Sequence, residues 1–115
     1  MTVLIVDDEP DLQFVMEIIL REAGMTIVGI ASDGSEAIEL AGKFQPDAIL
    51  MDVRMPNLNG IDATRAIAAT LPSTRIVVFS AYGDPALREA ALDAGASGFL
   101  VKGCDAADII SALAA

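Results

Sequence analysis

Five short apolar runs alternate along this chain with five stretches whose apolar residues recur every three or four positions. Thr2–Val6, Thr26–Ala31, Ala48–Met51, Arg75–Phe79 and Gly98–Val101 are apolar and rich in β-branched residues, as strands covered on both faces are. After Pro10, Leu12, Val15, Met16, Ile19 and Ala23 recur at helical spacing up to Gly24, and Ala37, Leu40, Ala41 and Phe44 do so before Pro46. Ala63, Ile67 and Leu71 mark a third helix, from about Ile61 to Leu71. Leu87, Ala90, Ala91 and Ala94 mark a fourth, which opens on Asp84-Pro85 and stops at Gly95. Asp105 caps a fifth, with Ala106, Ile109, Ile110 and Leu113 on one face. Such alternation with short connections predicts a parallel sheet flanked by helices. Right-handed crossovers then gather every strand's carboxyl end on one edge, where open α/β sheets bind their ligands.

That edge is chemically loaded. The first strand ends on Asp7-Asp8, the third on Asp52, the fourth on Ser80 and the fifth on Lys102. Taken singly, Asp52 has an ordinary reading as a loop residue that satisfies backbone groups, Ser80 as a strand-end hydroxyl and Lys102 as a solvated lysine. Their conjunction is harder to explain that way. Three carboxylates about 4 Å apart repel one another by ~1 kcal/mol per pair in water and ~4 kcal/mol at an intermediate dielectric, so they call for a cation. All-oxygen ligands in an open cleft select a hard ion, and Mg²⁺ takes one or two carboxylates while keeping waters for a phosphate to displace. A carboxylate nucleophile, a divalent ion, a lysine and a hydroxyl are what phosphoryl transfer requires. Met51 and Met55 are read as packing residues, and Cys104 as a small residue at a helix entry.

Composition narrows the setting. The 115 residues suit one domain over 1–115, and 54% hydrophobic against 21% charged residues argues for a well-buried globule. A net charge of −10 disfavours direct binding of nucleic acid or anionic membrane. One cysteine and no histidine leave no internal disulfide and no zinc site, and the apolar start is too short for a signal or a span; the expectation is a cytoplasmic protein. Any phosphohistidine would belong to another protein.

In order and spacing, Val6-Asp7-Asp8, Pro46-Asp47, Leu50-Met51-Asp52, Met55-Pro56 with Gly60, Ser80-Ala81, Ala94-Gly95-Ala96 and Val101-Lys102 resemble the receiver domain of two-component response regulators. The resemblance spans the whole chain and is nearest to the receivers of LuxR-type helix-turn-helix regulators. It implies a doubly wound, flavodoxin-like (βα)5 sandwich whose five-stranded parallel sheet has the order 2-1-3-4-5. It implies Asp52 as phosphoacceptor; Asp8, Asp52 and the Arg54 carbonyl as direct Mg²⁺ ligands, with Asp7 acting through water; and Ser80 and Lys102 as the hydroxyl and lysine that meet the phosphate. Ser80 and Phe99 are then the switch pair, and Arg54 and Tyr82 stand at the rim.

The implied partners are a sensor histidine kinase, a C-terminal DNA-binding output domain not in this chain, and a second copy in a phosphorylation-dependent homodimer. The expected role is a phosphorylation-activated switch that assists its own phosphorylation and is not a turnover enzyme. Two positions depart from the commonest pattern: Gly103 follows the lysine where proline is usual, and Phe99 lacks a tyrosine's hydroxyl. A non-proline cis bond costs ~2.5 to 4 kcal/mol, which weighs against the family's cis peptide after Lys102. The rivals are a stand-alone receiver acting through protein contacts and a small Mg²⁺-dependent phosphatase with an aspartyl-phosphate intermediate. The phosphatase reading asks for a second Asp two residues after the nucleophile, where this chain has Arg54.

Overall fold

A computed structural model describes residues 1–115. The strands are β1 (Thr2–Val6), β2 (Thr26–Ala31), β3 (Ala48–Asp52), β4 (Arg75–Ser80) and β5 (Gly98–Val101). The helices are α1 (Pro10–Glu22), α2 (Gly34–Phe44), α3 (Gly60–Thr70), α4 (Pro85–Asp93) and α5 (Ala106–Ala114). The strands form one parallel sheet in the order β2-β1-β3-β4-β5, as expected. Chain order reverses between β1 and β3, so the crevice of a doubly wound sheet opens beside those two strands.

Strand residues alternate between two cores because successive side chains point to opposite faces. Leu4, Val6, Ile49, Met51, Ile76 and Val78 meet Ala37 and Ala41 of α2, Ala63 and Ile67 of α3 and Ala91 of α4. Val3, Ile5, Leu50, Val77 and Phe79 meet Met16 and Leu20 of α1 and Ile109 and Leu113 of α5. β3 is buried along its whole length, and each of its large apolar side chains contributes ~1.5 to 3 kcal/mol by leaving water. Small residues on α2, α3 and α4 let three helices lie close to one face.

Several local expectations need correction. Val15 does not join the α1 core face: it is exposed beside Phe14 and Ile18, while Leu12, Met16, Ile19 and Leu20 turn inward. Phe44 at the end of α2 and Ala106 at the start of α5 are exposed as well. Asp105 precedes α5 without a side-chain cap bond, whereas Asp33, Asn59 and Asp84 cap α2, α3 and α4. No peptide bond is cis, and Gly103 takes φ +102 after Lys102. No helix is long and apolar enough to cross a membrane.

Two glycines set how tightly the β3–α3 loop folds. A Cβ on Gly60 would lie 1.8 Å from the Asp52 carbonyl oxygen, and one on Gly34 would lie 2.2 Å from the Leu58 carbonyl oxygen. The second contact exists because Gly34 N–H donates to that carbonyl at 2.9 Å, pinning the loop to the start of α2.

Candidate functional site

Strand register alone brings the polar strand ends together. Val6 pairs with Met51, so Asp7 comes level with Asp52 on the neighbouring strand. Asp52 pairs with Phe79, and Ser80 pairs with Val101, so Ser80 and then Lys102 follow along the same edge. Lys102 N–H donates to the Ser80 carbonyl at 2.6 Å, which continues the ladder one residue past β5.

The Lys102 ammonium bridges two buried carboxylates, lying 3.1 Å from Asp52 Oδ1 and 3.2 Å from Asp7 Oδ2. Asp52 Oδ1 also accepts from Val53 N–H at 2.9 Å, and Asp7 Oδ1 from Glu9 N–H at 2.9 Å. Asp52 Oδ2 has no protein donor, so one oxygen of this carboxylate is free to react. Burial raises the Asp52 pKa to about 6, the Asp7 charge adds to this, and Lys102 opposes both. Burial alone would lower the Lys102 pKa, but its bonds and charge contacts with Asp52 and Asp7 outweigh that and hold it above the ordinary value.

Asp8 is exposed at the mouth, and ligand oxygens of Asp7, Asp8 and Asp52 all lie within 4.8 Å of one another. Three carboxylates against one ammonium leave the cluster short of positive charge, and their oxygens form the donor set a hard divalent cation takes. The residues therefore fit Mg²⁺. Asp8, Asp52 and Lys102 line a cleft of about 210 Å³ together with Glu9, Arg54, Ser80 and Tyr82. Ser80 is buried; its hydroxyl accepts from Tyr82 N–H at 3.1 Å and keeps its own hydrogen to donate. Beyond Arg54, a more open and mostly apolar groove of about 470 Å³ runs past Met55, Ile61 and Leu87 with no carboxylate cluster in it.

The arrangement can thus hold a hard cation and a tetrahedral anion against a carboxylate oxygen. The profile of the response regulator receiver domain family matches residues 3–114. The chain is a response regulator receiver domain. PdtaR, a transcriptional regulatory protein of Mycobacterium tuberculosis, is 45% identical over 111 residues that cover 96% of this chain and 54% of PdtaR. The receiver thus spans about half the length of that relative. The receiver domain of the response regulator NarL from the same organism superposes with TM-score 0.92 at 36% identity, covering 98% of this chain and 92% of that one. A CheY of Borrelia burgdorferi, solved in a complex with CheX, BeF₃ and Mg²⁺, has TM-score 0.91 at 30% identity, covering 96% of this chain and 84% of that one. Receivers of NarL- and LuxR-type regulators are among its relatives, as the sequence motifs led us to expect. Members of the family are phosphorylation-activated switches, and their acidic pocket binds Mg²⁺.

Within the receiver, Phe99 is partly buried against the α2–α4 core, where an apolar ring belongs. Arg54 and Tyr82 are exposed and stacked, the guanidinium 4.7 Å from the ring centroid. Burial, with the charges of Asp108 and Asp105 added, raises the Cys104 pKa, which keeps it a thiol and agrees with a packing role. Sequence reasoning overlooked Glu9 at the cleft, and also Gln13 and Asn57 behind it. Gln13 Nε2 donates to the Asp7 carbonyl and to Ser32 Oγ, and Asn57 Nδ2 donates to Asp33. The available signal for Asn57 was its residue type, since asparagine tolerates the left-handed conformation it adopts at φ +67.

Proposed function

We propose that Asp52 is the phosphoacceptor of this receiver and that a sensor histidine kinase supplies the phosphoryl group. The observation that carries the reading is the Lys102 ammonium held between Asp52 and Asp7, with Asp52 Oδ2 left free toward the cleft. Oδ2 attacks phosphorus in line with the donor's P–N bond; that bond breaks, the P–O bond of an acyl phosphate forms, and the leaving imidazole takes up a proton. Lys102 keeps its charge throughout and pairs with a phosphate oxygen. Ser80 turns its hydroxyl hydrogen to a second oxygen. Mg²⁺ bound by Asp8, Asp52 and the Arg54 carbonyl, with Asp7 acting through water, would neutralise charge on the transferring group.

The acyl phosphate then draws on the Ser80 hydroxyl, which also holds the Tyr82 N–H, and so biases the β4–α4 connection. Phe99 lies on the neighbouring β5, level with Val78, and the surface formed by α4, β5 and α5 carries the change to partners. Those partners are a DNA-binding output domain in a longer cytoplasmic regulator, or a second receiver in a phosphorylation-dependent homodimer. The likeness to PdtaR supports a transcriptional setting. The likeness to a CheY over 84% of that chain supports a stand-alone receiver as the second reading. In either case the protein is consumed stoichiometrically by its phosphodonor and is not a turnover enzyme.

The test is labelling by acetyl phosphate with Mg²⁺. The parent protein should take up one phosphoryl group and Asp52→Asn none; a variant that still labels would place the acceptor elsewhere.

A further inference from the structure

The residues from Val53 to Asn59 form no helix or strand, yet the Arg54 carbonyl must be held still if it is to serve as a ligand. At the near end, Gly60 N–H donates to the Val53 carbonyl at 2.8 Å. At the far end, Asn57 Nδ2 donates to Asp33 Oδ2 at 2.9 Å, and the adjacent Leu58 carbonyl accepts from Gly34 N–H. Asp33 serves two elements at once, because its Oδ1 caps α2 by accepting from Glu36 N–H at 2.8 Å. The bonds from Glu36 N–H and from Asn57 lower its pKa, as expected for a carboxylate whose charged form is the acceptor. Asn57 holds a left-handed backbone that most side chains resist, and such strain persists where surrounding contacts over-determine it.

The other ligand-bearing loop is tied to the same place. Gln13 links the Asp7 carbonyl to Ser32 Oγ, and Asp7 N–H donates to the Ala31 carbonyl at 3.0 Å. Ala31 to Gly34 is therefore a common brace for both loops that carry the oxygen ligands.

We infer that the Asp33–Asn57 hydrogen bond is a positioning contact that latches the β3–α3 loop to this brace and fixes the Arg54 carbonyl for the cation. The inference rests on the acceptor reading above. Neither residue touches the cation or the phosphoryl group; both act through the loop. Loss of the latch releases the segment between Val53 and Leu58, so cation affinity falls while the fold, held by the two cores, stays.

The test is a titration of the metal-free protein with Mg²⁺ by calorimetry, alongside its melting temperature in chelator. Asn57→Gly removes the amide but accepts the left-handed backbone, and Asp33→Ser keeps a cap for α2 but loses the second acceptor. Each should weaken Mg²⁺ by about fivefold, the worth of one net hydrogen bond, and the two together by no more than either alone. Asn57→Asp sets two carboxylates against each other and should weaken Mg²⁺ as well. Adding Asp33→Asn to it restores a donor–acceptor pair in the reverse sense with unchanged net charge, and should return the parent's affinity. Parent-like affinity in both Asn57→Gly and Asp33→Ser, or an exchanged pair no better than Asn57→Asp alone, would overturn the latch and leave the acceptor reading standing. A parent protein that binds no Mg²⁺ would overturn both.

Discussion

The Arg54 guanidinium lies over the Tyr82 ring, 4.7 Å from its centroid, and so joins the β3–α3 loop to the β4–α4 connection across the mouth of the cleft. Neither residue is reactive, but both line the cleft beside Asp52 that a phosphoryl group would occupy. Attack on phosphorus depends strongly on the line of approach, and a cation stacked on an aromatic face resists displacement. Replacing both with alanine should speed dephosphorylation by about tenfold, a barrier change of ~1.4 kcal/mol. Decay of the phosphorylated protein with Mg²⁺ present, after the phosphodonor is removed, measures this; a double variant that decays at the parent's rate shows that the stack gates nothing.

Mg²⁺ should stabilise the folded receiver, because the oxygens of Asp7, Asp8 and Asp52 converge only in the native state. At a hundredfold excess over its dissociation constant the gain is ~2.7 kcal/mol. Thermal melts with and without millimolar Mg²⁺ read it directly. Asp8→Ala should lose most of the response, and an undiminished response in that variant would remove Asp8 from the ligand set.

Without metal, Asp52 should make stability fall as pH rises. Its folded pKa of about 6 lies above the ordinary 3.8, so the native state holds the proton more tightly than the unfolded chain. Stability from this group is fully present below about pH 4 and is lost as pH climbs through 6, by on the order of 2 to 3 kcal/mol. Asp33 and Asp47, whose pKa values are lowered, tilt the profile the other way. The difference between parent and Asp52→Asn cancels their share. Denaturant unfolding in chelator should show Asp52→Asn gaining on the parent between pH 4.5 and 7; a constant difference across that range would contradict the raised pKa.

Gly60→Ala should disrupt the loop rather than the helix it begins. The added methyl would sit 1.8 Å from the Asp52 carbonyl oxygen, too close for rotamer adjustment to relieve. A loss of about 3 kcal/mol or more is expected, whereas the same change at Gly42, open and inside α2, should gain about 0.5 to 1 kcal/mol. Urea midpoints of the two variants provide the comparison.

The sheet was legible because its signal is the period of the residues themselves: β3 is apolar throughout because both its faces are covered. α1 was less legible, since Phe14, Val15 and Ile18 are apolar and exposed, and no spacing rule tells an exposed apolar stripe from a buried one when the two adjoin. At the edge, Asp7, Asp8, Asp52, Ser80 and Lys102 were readable as strand-end residues, because a parallel sheet must bring strand ends together. The Lys102 bridge and the free Asp52 oxygen depend on side-chain directions that spacing does not encode. Asn57 stayed hidden for a further reason: a residue type that breaks helices looks the same whether it only turns the chain or also ties the turn to a neighbour.

Tyr82 is the single tyrosine of a chain that has no tryptophan, and it stands half exposed at the site's rim. Excited at wavelengths that the four phenylalanines do not absorb, near-ultraviolet emission from this protein is therefore a one-residue optical signal. Metal or phosphoryl analogues that disturb the Arg54 contact should register in that emission without any label. The same fact makes the emission a poor gauge of global unfolding: it follows a loop, while the backbone dichroism of the helices follows the rest.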